Sequence, residues 1–296
     1  MAQQSLPLEH GDTYPGDEIV WMGTSSFSEK DWVGVFYPEG TQPRDFLAYY
    51  AKQYRTVEID ATYYGIPRTS TVERWAEVTP DHFLFCAKFP KDIVHAGAKA
   101  APDPAKLLDP DTTYPIRDHF LHAMDRLGDK RGPLLIQFPY FNKKAFPDEE
   151  VFFSKLDRFL ADLPRDNDRE FAVEIRNKAW LSDDFFTLLR EHKVAPALVD
   201  QAWMPHGEDV VKRWDPLTVD WAYIRLLGDR KKTEELVERW DKEVLDYTES
   251  LTRWAALLKQ FRTSGNLKRI LVYANNHYAG HAPATLRRLN ALYTQS

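Results

Sequence analysis

Cysteine is almost absent from this chain of 296 residues: its one thiol, Cys86, excludes an intramolecular disulfide and any zinc site built on paired cysteines. Cys86 stands in the apolar run FLFCAKF, where a small buried side chain is expected. An apolar stretch long enough to span a bilayer is also missing, as is a secretory hydrophobic region, so a cytoplasmic protein without a membrane partner is expected. Positive charge is in deficit, with 39 Lys and Arg against 45 Asp and Glu, a formal net charge of −6. A protein that coats nucleic acid shows a basic surface, so nucleic acid is a disfavoured partner, although a local basic pocket stays open. There is no GxGxxG, Walker loop, GxSxG elbow, HExxH or CxxC, which leaves dinucleotide, phosphate-loop, serine-hydrolase and zinc-motif readings without support. No Pro/Gly/Ser linker, internal repeat or low-complexity block divides the chain, and a single domain follows.

Apolar material is plentiful. With 43% hydrophobic residues and 14% aromatics, the chain can bury a large core without a staple. Eight β-rich runs recur, at 19–25, 56–62, 83–89, 134–138, 171–176, 196–200, 222–228 and 270–276. Segments with helical spacing fall between them, at 43–54, 69–79, 148–163, 183–192 and 243–261. Such alternation calls for parallel strands joined by crossover helices, and eight repeats near the usual length of about 250 residues fit a closed α/β barrel, the (β/α)8 TIM-like fold. Residues 1–18 are polar and aperiodic and read as a flexible tail ahead of the barrel at 19–296. The stretch 91–117 is too long and proline-rich for a plain βα connection; a lid over the barrel mouth and a floppy insertion are both open. The sixth crossover, 201–220, carries little clean periodicity.

In a barrel of this kind the C-terminal strand ends share one rim, which carries the active site. Here those ends are rich in polar groups: Gly23 to Ser26, Glu58 and Asp60, Lys88 with His95 beyond, Gln137, Glu174 and Arg176, Asp200, Arg225, and Asn275-Asn276-His277. Period-two alternation puts Glu58 with Asp60, Glu174 with Arg176, and Tyr273 with Asn275 and His277 on the same face, leaving Val57, Ile59, Val173 and Ile175 to the helices. Buried charges are costly unless paired, so the set is either a functional mouth or a structural ion-pair network filling the barrel. Gly280 would permit a positive φ or a close backbone approach before the helix start at APATLRRL.

Seven ordered motifs carry a resemblance: GTSSFSEKDWVGVFYP, YAKQYRTVEIDATYYGIP, FLFCAKFPKDIVH, LLIQFPYF, AVEIRNKAW, YIRLLGDR and NNHYAGHAPA. Together, from about Trp21 to Leu292, the chain resembles the DUF72 family, also called YecE-like. The resemblance implies a (β/α)8 barrel and no established activity. Its motif positions are Glu58, Tyr64, Lys88, His95, Gln137, Glu174, Arg176, Trp180, Asp200, Arg225, Asn275, Asn276, His277 and Gly280. The second-strand motif of the family usually ends Asn-(Ser/Thr)-Phe-Tyr, whereas here it reads Asp60-Ala61-Thr62-Tyr63-Tyr64, adding a carboxylate and a phenol.

The expected function is an enzyme acting on a small polar or anionic substrate, sugar-like or sugar-phosphate-like, with no organic cofactor and a divalent metal left open. Glu58 and Glu174 would be general acid and base with His277 as partner, while Lys88, Arg176 and Arg225 would hold an anion. Tyr64, Trp180 and Trp203 would offer flat faces, and His95, Gln137, Asp200, Asn275 and Asn276 further polar contacts. One alternative is a metal-dependent phosphodiesterase or nuclease-like barrel using Glu58, Glu174, Asp200, His95 and His277 as ligands. Another is a non-catalytic binding or scaffold protein. The run DRKKTEELVERWDKE reads as a charged, solvated surface, and the oligomeric state is not encoded.

Overall fold

Each of the eight β-rich runs becomes a strand in the computed structural model, which describes residues 14–97 and 101–295. They are β1 (Val20–Thr24), β2 (Thr56–Ile59), β3 (Leu84–Lys88), β4 (Arg131–Gln137), β5 (Phe171–Glu174), β6 (Ala195–Gln201), β7 (Trp221–Gly228) and β8 (Arg269–Ala274). All paired strands are parallel, in the order β1-β8-β7-β6-β5-β4-β3-β2, so sequence neighbours are spatial neighbours around a nearly closed (β/α)8 barrel. Parity works as the alternation requires. Val57, Ile59, Val173 and Ile175 join the core between strands and helices, while Leu84, Cys86, Leu135, Ala172, Ala195, Trp221, Tyr223, Leu271 and Tyr273 pack inside the barrel.

The ring has a seam. β1 and β2 end the strand order and share no ladder, and Gly23 lies so close to β2 that a Cβ there would stand 2.2 Å from the Thr56 carbonyl oxygen. A side chain does the bridging. The Tyr50 hydroxyl accepts from the Thr24 backbone N–H at 2.8 Å and donates to the Thr56 carbonyl at 3.2 Å, tying β1 to β2 through a buried phenol.

Several sequence boundaries move. Residues 1–13 of the expected tail lie outside the described residues, but 14–18 are anchored: Gly16 N–H donates to Asn290 Oδ1 at 2.8 Å, and the Tyr293 hydroxyl donates to Asp17 Oδ2 at 2.6 Å. The stretch 91–117 is shorter as a loop than its prolines imply, because helices cover Lys91–Val94 and Pro110–Met124, with residues 98–100 outside the described set. Pro110 sits in the first turn, where its missing N–H costs nothing, and Asp109 caps the helix by accepting from Thr112 N–H at 3.1 Å. Leu107 and Leu108 are buried in the outer core, and the connection packs beside the helix Glu149–Ala161 through Lys155. Nothing in the described part of 91–117 lines the cleft described below.

Candidate active site

Arg225 organises the barrel mouth. It projects inward from β7, is wholly buried, and spends its guanidinium on neighbours: Nε donates to Glu58 Oε2 at 2.9 Å, Nη2 to Glu58 Oε1 at 2.7 Å, and Nη1 to Glu174 Oε2. Glu58 also accepts the Tyr223 hydroxyl at 2.7 Å, and Glu174 takes Arg176 Nε at 2.9 Å. Lys88 donates to Gln137 Oε1 at 3.1 Å and lies 2.7 Å from Asp60 Oδ1. Three carboxylates thus face three cations, and Glu58, Glu174 and Arg225 have no exposed surface.

The electrostatics separate the carboxylates. Burial pushes Glu58 up, but Arg225 and then Lys88 outweigh it and hold the group at about 2. Glu174 is likewise pushed up by burial and brought below the usual range by Arg225, Arg176 and Lys88. Asp60 goes the other way: burial raises it, Lys88 only partly offsets that, and the neighbouring Glu58 charge adds to the rise, leaving it at about 6. Asp60 is also the member nearest solvent among the three carboxylates, with 28% of its side chain exposed.

Above this network a cleft of about 170 Å³ opens over the seam, lined by Thr24, Ser25 and Ser26 at the end of β1, Glu29 and Trp32 beyond, and Asp60 at the end of β2. Ala274 to His277 at the end of β8, Ala282 and Trp240 complete it. Strand β8 stops at Ala274 because Asn275 turns to cap the next short helix, its Oδ1 accepting the His277 N–H at 2.9 Å. Asn275 Nδ2 then reaches Asp60 Oδ2 at 3.4 Å. Asn276 supports the turn from behind, accepting the Ala282 N–H at 3.0 Å. Gly280 does both jobs expected of it. Its φ is +113°, and a Cβ would meet the Lys242 carbonyl oxygen at 2.5 Å, so the β7 connection lies directly on the strand-eight turn. His277 contacts Asn275 Oδ1 at 2.6 Å and Glu234 Oε1 at 3.1 Å; burial and Arg230 lower its pKa, partly offset by Glu234.

Some expected site residues stand elsewhere. Asp200 shares parity with Leu198, which faces the helices, and its Oδ2 accepts from Trp254 Nε1 at 2.9 Å and from the Tyr278 hydroxyl at 2.8 Å in the outer layer. Trp180 is buried among Phe141, Phe146 and Phe152, stacked on Phe152 at 4.7 Å, and is packing rather than a platform. Tyr64 is 75% exposed beyond the rim, and Trp203 also lies outside the cleft lining. His95 ends the short helix after β3, where its Nδ1 accepts the Gly97 N–H at 3.2 Å. Among the described residues no group of three or more His, Cys, Asp and Glu stands at metal-binding distances, so Glu58, Glu174, Asp200, His95 and His277 form no common ligand set. Arg225, expected to grip a substrate anion, is fully engaged with protein carboxylates.

Sequence reasoning passed over Glu29, Trp32 and Trp240, and named Ser25, within the Gly23 to Ser26 strand end, and Asp60 without giving either a role. The run 229–243 is more than a solvated face: Trp240 N–H donates to Asp31 Oδ2 at 3.0 Å and its ring stands edge-on to His277 at 4.8 Å, so this β7 connection walls the cleft. The signal was a tryptophan inside an otherwise charged run.

The architecture and its polar rim define a single (β/α)8 barrel with a candidate active-site cleft at the C-terminal ends of β1, β2 and β8. The chain belongs to the DUF72 family, a protein family of unknown function, whose model matches residues 21–296. The UPF0759 protein YecE of Escherichia coli is 26% identical over 260 residues, covering 81% of this chain and 86% of YecE. A DUF72 protein of known structure from Thermotoga maritima is 27% identical with a TM-score of 0.64, covering 93% of this chain and 98% of its own. Another, from Enterococcus faecalis, shares the fold at 19% identity and a TM-score of 0.65, covering 94% of this chain and 96% of its own. Among the described residues no helix is long and apolar enough to cross a membrane.

Proposed function

We propose that this chain is an enzyme that transfers protons on a small polar substrate held in the cleft, with Asp60 as the general acid and base. One observation carries the reading: of the three carboxylates in the mouth network, only Asp60 lines the cleft, while Glu58 and Glu174 are sealed behind Arg225. Lys88 at 2.7 Å and Asn275 at 3.4 Å fix the orientation of its carboxyl group. A group titrating at about 6 is present in both protonation states near neutrality, which suits a proton donor that must be recharged each cycle. Glu58, Glu174 and Arg225 then hold Lys88 and Asp60 in place, a positioning role in place of the catalytic and anion-holding roles read from the sequence.

The test is a search for hydrogen exchange or new products by NMR, with a panel of small hydroxylated and carbonyl compounds incubated with the protein in deuterated buffer. Turnover should fall about 100-fold or more in Asp60→Asn, as expected for a lost general acid–base group, with the melting temperature maintained. Undiminished turnover in that variant overturns the assignment.

A further inference from the structure

The far wall of the cleft contains polar groups that the protein leaves without partners. Ser25 Oγ and Trp32 Nε1 are buried and make no hydrogen bond, and both residues line the cleft. Beside Trp32, outside the lining, His281 Nε2 is equally unpartnered, its ring edge-on to Trp32 at 6.0 Å. These residues are 1 to 2% exposed, so bulk solvent does not satisfy them. Buried polar groups in native proteins are almost always satisfied, and two orphans in the lining of one cleft, with a third packed against one of them, point to a partner that arrives from the cleft itself.

The chemistry of that partner follows from the lining. Trp32 Nε1 only donates, Ser25 Oγ donates and accepts, and His281 is held near 4 by burial and Arg287, so its ring is neutral at pH 7 and presents a donor or an acceptor but no charge. Ser26, Asn275 and Asn276 are uncharged, and Glu29 and Asp60 accept hydrogens. No lysine or arginine is in the lining among the described residues; beneath it Lys88 and Arg225 are engaged with Asp60, Glu58 and Glu174. A phosphate or carboxylate would find no cationic side chain in the lining and would face Glu29 and Asp60, whereas a hydroxyl both donates and accepts. A volume of about 170 Å³ holds on the order of ten heavy atoms, taking 10–15 Å³ for each water-sized atom. Trp240 supplies an apolar ring at the opening.

We propose that the cleft binds an uncharged, polyhydroxylated molecule of monosaccharide size, one hydroxyl of which completes the hydrogen bonding of Ser25 Oγ and Trp32 Nε1. This rests on the reading of the cleft as the substrate site and narrows it from polar or anionic to neutral.

Binding is measured on Asp60→Asn, which separates recognition from turnover, using tryptophan fluorescence and ligand-observed NMR. The probes are glucose, xylose and myo-inositol, their charged counterparts glucose 6-phosphate and glucuronate, and the cation glucosamine. At least one neutral probe should bind, with the matching anion at least tenfold weaker. Ser25→Ala and Trp32→Phe should each weaken that neutral probe about tenfold; Ser25→Ala removes only an unpartnered atom and should keep the melting temperature, whereas Trp32→Phe also thins a buried aromatic cluster and should lower it somewhat. Tighter binding of an anion or of glucosamine overturns the proposal, as does an absence of binding by every neutral probe to the folded variant. Unchanged affinity in Ser25→Ala and Trp32→Phe would mean that the orphaned atoms meet only water, and overturns it equally. Binding of a neutral probe without turnover by the unmutated chain would sink the enzyme reading alone; turnover of an anionic compound would sink this inference alone.

Discussion

Replacing Arg225 with methionine tests whether the mouth network is structural. Methionine fills a similar volume but offers no donor, so Glu58 and Glu174 stay fully buried, having lost the guanidinium that lies within hydrogen-bonding distance of both. Removing one partner of a buried ion pair costs about 3–5 kcal/mol, most of it the desolvation of the charge left behind. With an unfolding entropy of roughly 2.1 cal/mol/K per residue over 296 residues, or about 0.6 kcal/mol/K, the melting temperature should fall by about 5–8 °C at pH 7. The pH dependence carries the sharper sign. In the unmutated chain Glu58 titrates at about 2, below its unfolded value, so its contribution is present above the unfolded value and lost only as pH falls through about 2. In Arg225→Met burial dominates, the folded pKa rises above the unfolded one, and the deficit shrinks as acidification neutralises the stranded carboxyls. Calorimetry of both proteins from pH 7 to pH 4 should therefore show converging melting temperatures. A variant that melts within about 1 °C of the parent at pH 7, with a parallel pH profile, would show that Arg225 is not committed to these carboxylates and would return it to the role of substrate ligand.

Asp60→Asn should be at least as stable as the parent at pH 7: a carboxyl raised to about 6 stabilises fully below its unfolded value near 3.8 and loses that contribution as pH rises through 6, so a neutral amide helps most above pH 6, as urea titrations at pH 5 and 8 will show. Asn276→Ala should cost about 1 kcal/mol in the same assay, because Asn276 Oδ1 serves the first turn of the helix Ala282–Thr294, whose own N-cap His281 makes no side-chain cap bond. Tyr50→Phe should cost about 1–3 kcal/mol by leaving the buried Thr24 N–H unpaired, and hydrogen exchange at Thr24 should quicken more than at the β7–β8 ladder.

The strands were legible because parallel strands buried on both faces are short, dense runs of apolar residues, and parity within β2 and β5 followed from alternation. Parity in β6 did not follow, because Ala195, Ala197 and Val199 alternate with Pro196, Leu198 and Asp200 without a hydrophobic contrast to mark the inward set. Depth was the other hidden variable. Strand tilt and stagger decide which inward residues share a layer, and that offset is not written in any one strand, so Arg225 looked like a rim residue when it lies sealed behind Asp60 and Lys88. Trp240 and Trp180 were misplaced for one reason: loops set them, and loop paths depend on contacts distant in sequence, such as Trp240 with Asp31, 209 residues apart.

The phenol that joins β1 to β2 has a consequence for the span of the cleft. Around the rest of the ring, circumference is fixed by backbone ladders that no side-chain replacement can lengthen. Between β1 and β2, where Thr24 and Asp60 line the cleft, no ladder holds the strands, and the Tyr50 hydroxyl and the Gly23–Thr56 contact help to span the gap. Substitution at Tyr50 or Gly23 would therefore change the width of the ligand chamber while the other seven strand junctions and the Arg225 cluster stay as they are, so chamber width and proton chemistry are separately adjustable in this barrel.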